Sequence, residues 1–223
     1  DKKIQILDLK EELLGNLPLP AKGDFWLVDF NSDINQLLLA QADRARVKLY
    51  LYDFENNELK KVGNSQGIYD YFVTGGYLLK DRIMIRWQSG AEIPYIRTLT
   101  IKKGFTTAPS SKEGILSNKA EVSYIEIPTE ECKTIQGWLH LPKGIKNPIP
   151  MIIDLHGGPN SCVFDEFSPE AQIFTQNGFG VFYVNYHGST TFGKDFEMSI
   201  YGKPGILEAK DAVISKNYLV QRL

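Results

Sequence analysis

The chain has 223 residues, 43% hydrophobic and 12% aromatic, enough to bury a sizeable core in one large domain or two small ones. Its formal net charge of -2 and pI near 6.0 give no footing for nucleic-acid binding, and no basic helix or apolar run of spanning length points to a membrane. Cys132 and Cys162 lack metal or redox spacing and read as two free thiols in a reducing compartment, the cytoplasm; a secreted form that has lost its leader stays open.

Residues 1–22 resist placement. Residues 4–7 fit a strand, and Pro18 and Pro20 break the stretch beyond it. From Phe25 the texture is all-β, with short runs at 25–30, 36–40, 47–54 and 58–62 rich in β-branched, Leu and aromatic residues. Polar turns at 31–33, 41–44 and 55–57 separate them, and the last joins 49–54 to 59–62 as a hairpin. A second round of strands is predicted at 68–73, 82–88 and 95–102. Its last strand lies about 45 residues after its counterpart, a period suited to a four-stranded propeller blade. Two blades are too few to close a ring, so the chain would begin partway round one. Residues 105–120 read as a linker, and 122–127 with 134–141 as a second hairpin.

Residues 151–193 organise the rest. Residues 151–155 form a nearly unbroken apolar run, predicted as a strand buried on both faces. It enters His156-Gly157-Gly158-Pro159, where two glycines permit a sharp turn and close approach of another group. Ser168 is a suitable N-cap, Pro169 fits the first helical position, Glu170 favours the positive helix end, and Gly178 stops the helix. Residues 180–186 make a second apolar strand ending in Asn185-Tyr186-His187-Gly188-Ser189-Thr190. Strand, helix, strand predicts a right-handed parallel crossover, with reactive groups gathered where the strands end. A short helix at 194–201 breaks at Gly202-Lys203-Pro204-Gly205. A longer helix at 207–223 comes next, with an uneven apolar face of Leu207, Val213, Leu219, Val220 and Leu223.

These residues resemble a family. His156-Gly157-Gly158-Pro159 followed by Asn185-Tyr186-His187-Gly188-Ser189-Thr190-Thr191-Phe192-Gly193 is similar to the prolyl oligopeptidase family of serine peptidases, and most to its acylaminoacyl-peptidase-like branch. Gln136-Gly137-Trp138-Leu139-His140-Leu141-Pro142 resembles the family's entry into its hydrolase domain. Glu208-Ala209-Lys210-Asp211-Ala212-Val213 with Tyr218-Leu219-Val220 resembles the helix before its nucleophile. The resemblance covers about 122–223, and the β-rich part before it fits the propeller such enzymes carry. His187 stands where the family usually has Arg, Thr191 where it usually has Gly, and Glu131-Cys132-Lys133 where an Asp-Gly turn is usual. The implied fold is mixed: partial β-propeller blades over 1–110, a linker at 111–121, and the N-terminal half of an α/β-hydrolase domain over 122–223.

A serine hydrolase needs a nucleophile, a base, an orienting acid and donors for the developing oxyanion. In α/β-hydrolases one donor comes from a strand-to-helix loop of the HGG type ahead of the nucleophile elbow. By resemblance the Gly157 N–H faces the oxyanion, with His156 and Gly158 as supporting loop; read alone, the turn could need glycine for backbone reasons only. The one G-x-S-x-G, Gly63-Asn64-Ser65-Gln66-Gly67, is rejected as the elbow because it joins two strands and precedes the oxyanion loop. Ser189 reads as a backbone-bonding serine, and His187 as packed or titrating. By resemblance Tyr186, His187 and Ser189 line the cleft and Asp211 is a structural helix carboxylate. None of the triad residues is present, and neither metal nor cofactor is expected. The expectation is a segment of a peptidase acting on oligopeptides through an acyl-enzyme and inactive by itself, its partner a peptide substrate and its oligomeric state open. An esterase or amidase on the same scaffold, or an inactive binding or truncated module, are the alternatives.

Overall fold

The computed structural model describes residues 4–7, 13–63, 65–70, 72, 75–101, 107–109, 119–129, 134–145 and 148–222. They form two compact units. One comprises Asp1–Ser65, Tyr69–Trp87 and Tyr95–Ser110, and the other Gln66–Ile68, Gln88–Pro94 and Ser111–Leu223.

The first unit opens with β1 (Gln5–Leu7) and β2 (Leu13–Asn16), an antiparallel pair. The strand expected at 4–7 is therefore present, and Ile4 and Ile6 pack on a core of Leu17, Leu37, Leu39 and Tyr52. β3 (Asp24–Asn31), β4 (Gln36–Asp43), β5 (Arg46–Asp53) and β6 (Glu58–Val62) form an antiparallel meander. The polar turn read at 41–44 is shorter than expected. Gln41, Ala42 and Asp43 stay in β4, and the hairpin turns on Arg44 and Ala45, both at positive φ (49° and 56°). A two-residue loop of that shape matches the strand twist, and Gln41 escapes solvent because its Nε2–H₂ donates to Lys22 O (2.7 Å). The expected hairpin over 55–57 is present, with the Asp53 carboxylate accepting the N–H groups of Glu55 and Asn56. Those bonds, led by the one from Asn56, hold the Asp53 pKa below the ordinary carboxylate value.

The strand predicted at 68–73 is only β7 (Ile68–Tyr69); Tyr71 and Val73 lie outside the described residues. β8 (Gly76–Leu78) was not expected. β9 (Arg82–Ser89) matches, and β10 (Glu92–Thr100) begins three residues earlier than predicted. Inside the expected linker lies β11 (Thr107–Pro109), paired with β10 through Arg97↔Pro109. A proline fits there because an edge strand spares its missing N–H; the remainder of that linker up to residue 118 is outside the described residues. The nine-stranded sheet runs β11-β10-β9-β7-β5-β4-β3, with β6 on β5 and β8 on β9.

In the second unit β12 (Glu121–Pro128) and β13 (Thr134–Leu141) pair antiparallel over eight residues. The Glu131-Cys132-Lys133 turn is outside the described residues. β14 (Met151–Leu155) and β15 (Gly180–Asn185) pair parallel, giving the order β12-β13-β15-β14. The parallel pairing agrees with the crossover expectation. Burial on both faces does not hold for β14: it ends the described sheet, and Leu155 is exposed. The fully covered strand is β15, whose Val181, Phe182 and Val184 are buried; Phe182 and Val184 join Ile127, Ile135 and Leu139 in the core.

Helix α1 (Pro169–Gln176) starts as the sequence dictates. Ser168 Oγ accepts the Ala171 N–H at 3.0 Å, Pro169 sits in the first turn, and Gly178 (φ 83°) follows the C-cap. α2 (Lys194–Met198) is short, and α3 (Leu207–Val220) packs against β14 and β12. The buried face of α3 differs from the expected one. Leu207, Asp211, Ser215 and Leu219 recur every four residues and face inward, while Val213 and Val220 are exposed. A carboxylate and a hydroxyl on the inward face disguised the stripe in an apolar count.

Candidate active site

The loops after β14 and β15 are stitched to one another, and the stitching converges on His156. Tyr186 Oη–H donates to His156 O at 2.6 Å, and the two rings stack at 4.4 Å between centroids. His156 Nδ1–H donates to Gly157 O (2.9 Å), and Nε2 lies 2.7 Å from Ser189 Oγ. Ser189 Oγ is also 2.7 Å from Tyr186 O, so its single hydroxyl proton serves either the carbonyl or the imidazole. Burial lowers the His156 pKa, offset in part by the Gly157 carbonyl and Asp154, which favours the neutral ring. Further along, Thr190 N–H donates to Ser161 O at 2.9 Å. His156 is thus held at its ring and at its carbonyl by the second loop.

Gly157 is different. Among the described residues nothing bonds its N–H, and a Cβ built on it would meet no heavy atom within 4 Å. It is exposed, as is Gly158, whose bond to Pro159 is cis. Tyr186, His187 and Ser189 are buried, Ser189 completely. The Ser189 hydroxyl lies within hydrogen-bond distance of the carbonyl of its own turn, Tyr186 O, the local backbone contact read from the sequence.

His187 packs rather than faces solvent. Its N–H and its Nδ1–H both donate to Asp211 Oδ2, each at 2.8 Å, and its ring stacks on Phe196 (5.0 Å). Asp211 is 1% exposed, in keeping with a structural helix carboxylate. Thr191 carries a φ of 72°, strained for a β-branched residue and natural for glycine.

Two residues beneath the loops were not singled out from the sequence. Asn185 Oδ1 accepts the Val163 N–H (2.7 Å), and its Nδ2 donates to Gln136 Oε1 (2.6 Å) and Val163 O (3.0 Å). Trp138 Nε1–H donates to the same Val163 carbonyl at 2.8 Å. Asp165 Oδ2 accepts the Gly67 N–H (2.7 Å) and Oδ1 the Gly90 N–H (3.0 Å). An amide ending an apolar strand and an acid inside a buried loop break the local pattern, and that is the signal by which both could have been found.

Ser65 has the surroundings of a turn. Its Oγ accepts from Lys61 Nζ at 2.5 Å, and it is followed by β7 rather than a helix. His140 is 2% exposed with Nδ1 unpaired among the described residues, and burial pushes its pKa down to about 4. Burial likewise raises the Cys162 thiol to about 11, so it is an inert buried thiol. Among the described residues no group of three or more His, Cys, Asp or Glu could hold a metal ion, and no helix is long and apolar enough to cross a membrane.

Comparison with known proteins bears out the resemblance. Residues 165–223 match the Prolyl oligopeptidase family. Over 114 residues the chain is 27% identical to the uncharacterized peptidase YuxL of Bacillus subtilis (strain 168), covering 48% of this chain and 17% of that protein. Over 76 residues it is 34% identical to the acylamino-acid-releasing enzyme of Homo sapiens, covering 34% of this chain and 10% of that one. The uncomplexed acylaminoacyl peptidase of Pyrococcus horikoshii shares the fold at a TM-score of 0.75 with 16% identity, covering 94% of this chain and 32% of that chain. A puromycin-hydrolyzing peptidase of Mycobacterium tuberculosis gives 0.72 with 18% identity, covering 91% and 34%. The chain thus spans between a tenth and about a third of the length of these four proteins.

Proposed function

We propose that this chain is part of a serine peptidase of the prolyl oligopeptidase type, which hydrolyses oligopeptides through an acyl-enzyme. Residues 1–110 are the end of a β-propeller, 111–121 a linker, and 122–223 the first half of an α/β-hydrolase domain. The family match, the acylaminoacyl peptidase relatives and the shared fold support this reading.

The observation that carries it is the Gly157 amide. That N–H is exposed and has no protein partner among the described residues, so it is open to an incoming oxygen, and it sits on a residue whose carbonyl and preceding side chain are both held. When a serine from polypeptide outside these residues attacks a scissile carbonyl, the oxygen gains negative charge. The Gly157 N–H donates to that oxygen, and the open space where a Cβ would stand admits it. Preorganisation matters because the donor need not reorient during the reaction. Losing one such donor typically costs roughly 3 kcal/mol of transition-state stabilisation. Tyr186, His187 and Ser189 form the wall that holds the loop beside the cleft. Two thiols without pairing spacing support a reducing, cytoplasmic location.

The test is turnover by the full-length protein of N-acyl-peptide anilides and of matched esters, with covalent labelling by a fluorophosphonate. Amide hydrolysis with one labelled serine is expected, at an elbow outside the 223 residues. Ester turnover without amide turnover would assign an esterase, and an unlabelled protein a binding module.

A further inference from the structure

We propose that the buried His187–Asp211 pair is a positioning element for the Gly157 amide, acting through Tyr186 and Ser189; this rests on the oxyanion role of that amide. Asp211 belongs to α3, the helix that packs on both β12 and β14. Its Oδ2 takes two donors from a single residue, the His187 N–H and Nδ1–H, each at 2.8 Å. Two bonds to one oxygen fix both the backbone and the side chain of residue 187. The pair is almost wholly removed from water, with side chains 4% and 2% exposed.

The far nitrogen of the ring shows what holds the side chain. His187 Nε2 is buried without a hydrogen-bond partner among the described residues, which is costly for a polar atom. An apolar ring would stack on Phe196 equally well and avoid that cost. What an apolar ring could not supply is the Nδ1–H bond to Asp211, so position is what the histidine contributes.

The path from this pair to the reacting site is short. Tyr186, the residue before it in the chain, sends its hydroxyl to His156 O and its ring onto the His156 ring. Ser189, two residues beyond 187, meets His156 Nε2. His156 directly precedes the Gly157 N–H. A shift at 187 therefore moves the seat on which His156 rests, and the amide with it. Misplacing a catalytic donor by about 1 Å can cost on the order of a hundred-fold in rate.

The test uses the full-length protein with Asp211→Ala, His187→Ala and His187→Asn. The asparagine amide can place an N–H where Nδ1–H stood. Rates are divided by active sites counted from a fluorophosphonate titration, which removes losses from misfolding. We expect Asp211→Ala and His187→Ala to lower kcat per site about ten-fold with KM within about two-fold. They should weaken a peptidyl trifluoromethyl ketone by the same factor, because its hemiketal oxygen occupies the oxyanion position. His187→Asn should recover most of the loss, and the double alanine variant should be no worse than either single one. Should the alanine variants fail to fold, Tyr186→Phe removes only the hydroxyl bond to His156 O and should show the same pattern at about three-fold. Fewer titratable sites with unchanged kcat per site and unchanged inhibitor affinity would make the pair merely structural and overturn the proposal. A wild-type protein without turnover or labelling would instead sink the functional reading itself, a distinct result.

Discussion

At Gly63–Gly67 and at His156–Pro159 the chain makes two glycine turns that both carry a serine-hydrolase signature, yet they are built in opposite ways. In the first, Gly63 has a φ of 73°, and a Cβ on it would lie 2.0 Å from Tyr69 Oη. The Gly67 N–H is consumed by Asp165, and the Ser65 hydroxyl is bonded to Lys61. In the second, a Cβ on Gly157 would touch nothing within 4 Å, and its N–H is unbonded among the described residues. Packing requires glycine at Gly63, and in the second turn at Gly158, whose φ is 134° and where an added Cβ would lie 2.9 Å from Asn160 N, but leaves it optional at Gly157. Where packing does not demand a glycine, the reason for one is sought in what must approach the backbone from outside.

The unit around the second turn also holds all three histidines of the chain, His140, His156 and His187. This sharpens the contrast most strongly through pH. The His140 pKa is lowered by burial from 6.5 to about 4, so the folded state binds fewer protons than the unfolded one in between. Its contribution is fully present above the unfolded value and is lost as pH falls through the window from 6.5 to 4. A shift of that size corresponds to about 3 kcal/mol. Urea unfolding at about pH 7 and about pH 4 should show the loss, and His140→Phe, which keeps an aromatic ring against Tyr183, should flatten that part of the slope. An equal slope in the variant would show that the loss comes from carboxylates instead.

Next in size is the test of the turns themselves. Gly157→Val in the full-length protein should lower kcat/KM on the order of a hundred-fold, because the side chain occupies the space of the incoming oxygen. Its melting temperature should hardly move, since nothing lies where the side chain begins. Gly63→Ala is the mirror image. A left-handed φ and a collision with Tyr69 together should cost about 2 kcal/mol of stability, while activity per titrated site is unchanged. If both variants lost stability alike, the second turn would be a packing turn like the first.

Much of this contrast was legible in the sequence. Apolar runs and glycine punctuation gave both β-strands of the parallel pair, and Ser168 and Pro169 gave the start of α1, because those signals are local. The exposure of Leu155 at the end of β14 was not legible, since an apolar run says nothing about how many neighbours cover a strand. The inward face of α3 was hidden because Asp211 and Ser215 occupy it. A carboxylate inside a core makes sense only once its partner, 24 residues away in His187, is known. Asn185 and Asp165 escaped for the same reason: their partners Gln136, Val163, Gly67 and Gly90 are brought together by the fold and not by spacing. Thr191 was visible as a departure from the family pattern, but its meaning, a positive φ, belongs to the backbone.

The smallest expected effect is also the most discriminating for the G-x-S-x-G signature. Ser65→Ala removes a hydroxyl that is exposed and bonded by a flexible lysine, so stability should change by less than about 0.5 kcal/mol. Fluorophosphonate labelling and peptide turnover of the full-length protein should both stay at the wild-type level. The argument is geometric. A nucleophile elbow presents its serine between a strand and a helix whose N-terminus stabilises charge, with a neighbouring N–H free for the oxyanion. Ser65 is followed by the two-residue strand β7, and the nearby Gly67 N–H is already spent on a buried carboxylate. Motif letters without the strand-to-helix turn do not make a nucleophile elbow. If Ser65→Ala nonetheless abolished labelling, the roles of the two turns would have to be exchanged.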